Sequence, residues 1–559
     1  MLTAVTITGP DADLLGAVGA LRGSVAAARL PLVAEGADTA RQIQANLVQS
    51  LDDYLIPRLR RSAGPVHIVV GGSTGVGKST LVNSILRHEV TKAGVLRPTT
   101  RSAVMCVNPG DVAAVTGPDR LLPAYLRSST PTQRPDTITL FPHTGIPPGV
   151  TLVDAPDVNS VLADNRAAGG RLLAAADAWI LVTTAERYAD AVPWRLLKEA
   201  HDRRVTLAIV LNRVPPDSLA EVREATGALL AINGLGDIPL FTVPEAVLTM
   251  GLLPEYLLDP LTTWLRATAH DPVLRQTTIA TTVNGLFDDL PRRLGLLAEA
   301  LTAQAAGAAQ LRVQADLAYS AQRAGLHDSI AQGELLRGGP LLEWQALITP
   351  ERAGLLFSPA GADSAATARR LLLGAAADAI TAAAGRAADE VATGWHGALT
   401  EQDPAQTSVS TGSRAGAVPP ELEDWADGLA ELIDKEPRQH LRTAEQFFAG
   451  GSQGPAVLLA ALVFTGRRTA AAKSRRRRNS PQIQPHPAVA ATRKLADAVF
   501  GAEEADRLAL SAATTLDLAL AALFDRLAFR HHRTLAELGV DPLAGKAVLD
   551  AGLAVQRAR

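Results

Sequence analysis

Apolar residues recur at spacings of three and four along residues 11–62: Leu14, Leu15, Val18, Leu21 and Val25, then Ile43, Leu47, Leu51, Tyr54 and Leu55. That period places each set on one face of an amphipathic helix, with Pro31 dividing the two helices. Both faces need a partner, and the helical C-terminal half is the expected one. From residue 66 the pattern changes to short apolar runs separated by helical stretches: 66–70, 103–107, 137–141, 150–153, 179–183, 205–211 and 239–243. Alternation of this kind predicts a mostly parallel sheet flanked by helices. Beyond residue 250 the runs lengthen into Ala- and Leu-rich helices over 276–318, 363–400, 420–449 and 486–535. Leu286, Leu290, Leu294, Leu297 and Leu301 make a packed stripe there. The expected architecture is an α/β domain over 63–250, N-terminal helices over 1–62, and a large α-helical bundle or stalk, coiled-coil in character, over 251–559.

Composition agrees with a folded chain of more than one domain. Of 559 residues, 47% are hydrophobic and 20% charged, enough apolar material to bury cores. Aromatics make up only 4%, which favours helices in the Ala/Leu-rich half. A net charge of −3 exerts no global pull on nucleic acid or anionic membrane, so any such attraction must be local. The single cysteine, Cys106, excludes an intrachain disulfide and a cysteine-based zinc site. Residues 1–7 lack a basic stretch and soon meet Asp11 and Asp13, so no secretory signal is read there. No run of eighteen residues is clean enough to predict a spanning helix. A cytoplasmic location is expected, with peripheral attachment to the inner face of the cell membrane as the variant.

The run 66–70 leads into Gly72-Ser73-Thr74-Gly75-Val76-Gly77-Lys78-Ser79-Thr80, after which 81–86 is helical in pattern. Strand, glycine-rich loop and helix in that order form a phosphate cradle. The glycines let successive N–H groups and the helix N-terminus converge, Lys78 reaches terminal phosphates, and the Ser79 hydroxyl can bind Mg²⁺. A nucleoside triphosphate is the ligand class this predicts. The run 150–153 ends at Asp154, placed where a strand-end carboxylate holds Mg²⁺; the plainer reading is an aspartate capping the turn before Pro156. Thr99 and Thr100 lie in a loop after the cradle helix, and either could complete the Mg²⁺ shell, Thr100 being the one chosen. Metal ligands are thus expected from Ser79, Thr100 and Asp154, with Lys78 and Thr100 in the catalytic roles.

The order Gly72–Ser79, Thr99/Thr100, Asp154, Asn212-Arg213-Val214-Pro215 and Thr242-Val243-Pro244 resembles the five motifs of the translation-factor-related P-loop GTPases. Flanking helices and a long helical tail narrow the resemblance to the bacterial dynamin-like proteins. Asp154-Ala155-Pro156-Asp157 and the stretch 187–194 resemble an actinobacterial branch. The resemblance covers residues 66–245 by motif and the remainder only by architecture. It implies GTP as substrate, Mg²⁺ as cofactor, Asn212 and Arg213 at the base, and a homodimer or a paired paralogue as partner. Three positions depart from the pattern. Asp157 stands where the switch glycine is usual, which implies slow or differently gated hydrolysis. Pro215 replaces the aspartate that reads guanine, and Asp217 lies two residues on. Gly75 removes a side-chain cation ligand.

A second stretch stands out in the helical half. Residues 447–466 carry no charge, and Arg467, Arg468, Lys473 and Arg475–Arg478 then add seven cationic residues. An apolar tip with a basic flank suits shallow insertion into an anionic membrane through 447–478. Gly450-Gly451-Ser452-Gln453-Gly454-Pro455 interrupts it, leaving a core too short to span. The alternatives are a buried helix followed by a solvated basic loop, or an RNA-binding tract, although no aromatics interleave the basic run.

The function expected is a dynamin-like GTPase that hydrolyses Mg²⁺–GTP to drive conformational or oligomeric change at a membrane. Two rivals stand beside it: a nucleotide-gated interaction protein with little turnover, and a P-loop ATPase.

Overall fold

The computed structural model describes residues 12–61, 64–91, 102–132, 134–157, 163–188, 191–399, 417–435, 445–466 and 486–559. The chain forms two compact units. One comprises residues up to Leu30, Gly36–Thr302 and Asp541–Arg559; the other comprises Pro31–Glu35 and Ala303–Val540.

The first unit is built on an eight-stranded sheet of order β3-β4-β2-β5-β1-β6-β7-β8. The strands are β1 Val66–Gly72, β2 Ala103–Val107, β3 Leu126–Ser128, β4 Thr137–Pro142, β5 Val150–Asp154, β6 Ala178–Thr184, β7 Thr206–Val214 and β8 Leu240–Pro244. Every pairing is parallel except β2 with β5. The central strands β1 and β5 are buried along their full length, which is why they read as unbroken apolar runs rather than alternating ones. The helices Lys78–Leu86, Ala163–Ala174, Ala191–Asp202 and Leu219–Ile232 pack on the sheet.

The N-terminal helices share a compact unit with the sheet and with the last stretch of the chain, Asp541–Arg559. Ala12–Ala27 buries Leu14, Val18, Leu21 and Val25, and it packs against the last helix, Ala544–Ala558, which buries Val548 and Val555. The helical stretch Leu51–Arg60 is tied down by charge. Fully buried Asp177, at the start of β6, accepts from Tyr54 Oη at 2.6 Å, from the His67 amide at 2.6 Å, and from the Arg58 guanidinium, whose Nε lies at 3.1 Å.

The second unit is helical. It contains the second half of the Pro272–Gln332 helix together with Gly338–Leu347, Ala362–Trp395, Pro420–Asp434, Gln453–Phe464, Pro487–Phe500 and Ala502–Glu537. Two of its helices have stretches of spanning length and hydropathy, within Pro359–Trp395 and Ala502–Glu537, with mean hydropathy of 1.3 and 1.5; each also contributes buried residues to the core. The expected apolar tip is corrected here. Every residue from Gly454 to Phe464 is buried, and the helix packs against Ala362–Trp395, Pro420–Asp434, Pro487–Phe500 and Ala502–Glu537. A short helix apolar on all sides gains more by filling a core than by facing water, and these four helices supply that core. The basic run 467–478 lies outside the described residues.

Candidate functional site

Parallel register brings the carboxyl ends of β1, β5, β6, β7 and β8 to one edge of the sheet. At that edge β1 turns through Gly72–Gly77 into the Lys78–Leu86 helix. Two of the glycines are dictated by space. Gly72 has φ +150°, and a Cβ there would stand 2.2 Å from the Val182 carbonyl oxygen on β6. Gly77 has φ +97°, and its Cβ would stand 2.3 Å from Asn212 Nδ2.

Neighbouring strand ends hold the middle of the loop by its carbonyls. Arg187, just past β6, donates from Nη1 to Thr74 O at 3.1 Å. On β7, Arg213 donates from Nη1 to Gly75 O at 3.3 Å and Asn212 from Nδ2 to Val76 O at 2.8 Å. A trans peptide points its carbonyl and its N–H in opposite directions, so these three bonds turn the amides of Gly75, Val76 and Gly77 away from the side chains that hold the loop. Such a row of amides beside a helix N-terminus is a ready anion site. Lys78 Nζ donates to Gly72 O and Ser73 O, each at 3.1 Å, and also pairs with Asp157. Thr80 sits in the helix's first turns, its carbonyl accepting from Ser84 Oγ at 2.6 Å.

Asp154 ends β5 fully buried. Its Oδ2 accepts from Ser79 Oγ at 2.7 Å, while Oδ1 is buried without a partner. Burial pushes the Asp154 carboxyl above the usual carboxylate range, against the opposing pull of the Ser79 hydrogen bond, the Lys78 charge and the nearby Thr91 hydroxyl. A carboxylate oxygen left unpaired beside a hydroxyl is a hard-oxygen donor pair, and it fits Mg²⁺, which takes one or two protein ligands and completes its shell with water and phosphate. Among the described residues no group of three or more His, Cys, Asp or Glu gathers as a metal cluster, and a site of that Mg²⁺ type does not need one. Ser73 Oγ and Asn212 Oδ1 are likewise buried without partners around the loop.

The structure thus brings Gly72–Thr80, Asp154, Asn212 and Arg213 to one edge. Thr99 and Thr100 lie outside the described residues. At the end of β7, where the sequence suggests a base-recognition motif, Arg213 takes φ +55° where the ladder shifts between Asn212 and Val214, and Pro215 offers no carboxylate; Asp217 sits in the single turn Pro216–Ser218. The sequence reading did not foresee two partners. Arg187 could have been flagged as an arginine just beyond the strand next to β1. Asn83, whose Oδ1 accepts from the amides of Val90 and Thr91 at 2.9 and 3.0 Å, anchors the chain leaving the cradle helix and carried no local signal.

No family model and no curated protein matches the chain. Among solved structures, two chains of an oligomerised bacterial dynamin pair, described as providing a mechanism for long-range sensing and tethering of membranes, are similar at 12% identity and a TM-score of 0.40. The matches cover 94% and 93% of this chain and 92% and 94% of theirs. LeoA, a bacterial dynamin GTPase from ETEC, is similar at 12% identity and a TM-score of 0.25, over 100% of this chain and 98% of that one.

Proposed function

We propose that the 63–250 region binds and hydrolyses a Mg²⁺–nucleoside triphosphate, GTP by its motif order, and that the chain works as a dynamin-like GTPase whose nucleotide state changes its conformation or assembly. The observation carrying this reading is the trio Arg187, Asn212 and Arg213 on three consecutive loop carbonyls, which presents amides to an anion. In this reading Ser79 and Asp154 hold the metal, which would supply charge neutralisation on the terminal phosphates. Lys78 takes part of the charge that develops on the transferred phosphoryl oxygens, and the loop amides hold the phosphate in line. Arg213 lies over the loop to meet the base.

The rival with little turnover has its own support, the engagement of Lys78 by Asp157. Binding of fluorescent GTP and ATP analogues with Mg²⁺ or EDTA, followed by single-turnover phosphate release, separates the readings. Lys78→Ala should weaken triphosphate binding by about a hundredfold, since it removes a charge-assisted bond in a partly buried site. Absence of nucleotide binding by the unaltered protein overturns the proposal, and binding without phosphate release favours the rival. Membrane attachment, in this reading, rests on the seven cationic residues of 467–478 rather than on insertion of 455–464. Flotation with phosphatidylglycerol vesicles that survives neutralisation of those residues would remove it.

A further inference from the structure

Lys78 offers three N–H donors, and three acceptors take them: Gly72 O, Ser73 O and Asp157 Oδ1. The first two are neutral carbonyls of the loop itself. The third is an anion, delivered by a different segment from beyond the end of β5. Lys78 is only 6% exposed and Asp157 17%, so the pair is largely shielded from water and from screening by salt. Asp157 is also near enough to Asp154 to raise the latter's pKa, so two carboxylates crowd a single ammonium.

We propose, building on the triphosphate reading above, that Asp157 is an internal stand-in for a terminal phosphate and sets the preference of the site between triphosphate and diphosphate. Asp157 presents a carboxylate oxygen to the Lys78 ammonium, the group that a terminal phosphate would engage. A triphosphate must displace that carboxylate, because a terminal phosphate added beside Asp154 and an undisplaced Asp157 would concentrate negative charge on one lysine. A diphosphate lacks the γ-phosphate, and although its β-phosphate also reaches Lys78, it brings less negative charge against Asp157 and displaces the pair to a smaller extent. The pair therefore reduces apparent triphosphate affinity by the fraction of time it is closed, and it does not reduce diphosphate affinity in the same way. A closed fraction of nine-tenths corresponds to about a tenfold reduction.

The test is equilibrium binding of a fluorescent non-hydrolysable GTP analogue and of fluorescent GDP, both with Mg²⁺, to the full-length protein and to Asp157→Asn and Asp157→Gly. Asn keeps the shape and removes the charge; Gly removes the side chain altogether. Thermal unfolding of each variant confirms that it is folded. The expected result is triphosphate binding tightened by about tenfold, with diphosphate affinity changed by less than about threefold, in both variants. Triphosphate affinity unchanged or weakened in both variants overturns the inference and leaves the nucleotide reading standing. Failure of every protein, the unaltered one included, to bind either nucleotide overturns both.

Discussion

Two buried cation–aspartate pairs sit in the same sheet-based unit and do opposite things. At the amino end of β6, Asp177 accepts from Arg58, Tyr54 and the His67 amide, so the burial of its charge is fully answered. The carboxyl edge holds the Lys78–Asp157 pair and also leaves buried atoms unanswered: Asp154 Oδ1, Ser73 Oγ and Asn212 Oδ1. Protein interiors rarely leave buried polar atoms unpaired, and a cluster of them at one strand edge reads as room kept for a ligand. The difference is one of satisfaction rather than of charge. A closed network fastens a fold, whereas an open one can exchange its partner.

Three measurements press on that contrast. Asp177→Ala leaves Arg58 buried and uncompensated, and urea unfolding should show a loss of about 3–5 kcal/mol. A loss as small as that of a surface change would erase the distinction between the two pairs. Arg187→Ala should leave unfolding within about 0.5 kcal/mol of the unaltered protein and weaken triphosphate binding by roughly tenfold, since it frees one loop carbonyl without emptying the core. Equal effects on stability and binding would make Arg187 a fold residue. A third effect, spread over a range of pH, concerns His67, whose amide serves Asp177. Burial, then the charges of Arg58 and Arg127, hold its imidazole well below the usual histidine value. The unfolded chain therefore takes up a proton near pH 6.5 that the folded one refuses. The stability from neutral His67 is present above that pH and is lost on acidification, at up to about 1.4 kcal/mol per pH unit. Unfolding free energies from pH 7 to 5 should fall less steeply in His67→Gln.

The sheet was legible because its central strands are unbroken apolar runs; β2 begins and ends at Ala103 and Val107 as the pattern predicts. The edge strand Leu126–Ser128 escaped notice, since three residues reading Leu-Arg-Ser carry no period. β7 runs on to Val214 because the ladder resumes after the shift at Arg213, a feature of pairing that composition does not encode. The apolar run 455–464 was visible but its surroundings were not. A helix without a polar face looks the same whether lipid or other helices cover it, and only the packing of distant segments decides. Lys78 and Asp154 could be named from local spacing. The partner of Asp157 could not, because the contact spans 79 positions and depends on where the turn after β5 lands.

The pairing of the Ala12–Ala27 helix with Ala544–Ala558 has a consequence for biosynthesis. Domains usually fold as they emerge from the ribosome, N-terminal parts first. Here the first described helix cannot cover Leu14, Val18, Leu21 and Val25 with its native partner until residues beyond 541 have been made. The unit that carries the phosphate loop is thus completed last, after the entire helical unit has been synthesised. A ribosome stalled short of that point would hold a chain whose apolar stripe is covered only in part, by the neighbouring helices of 37–60, a natural target for chaperones.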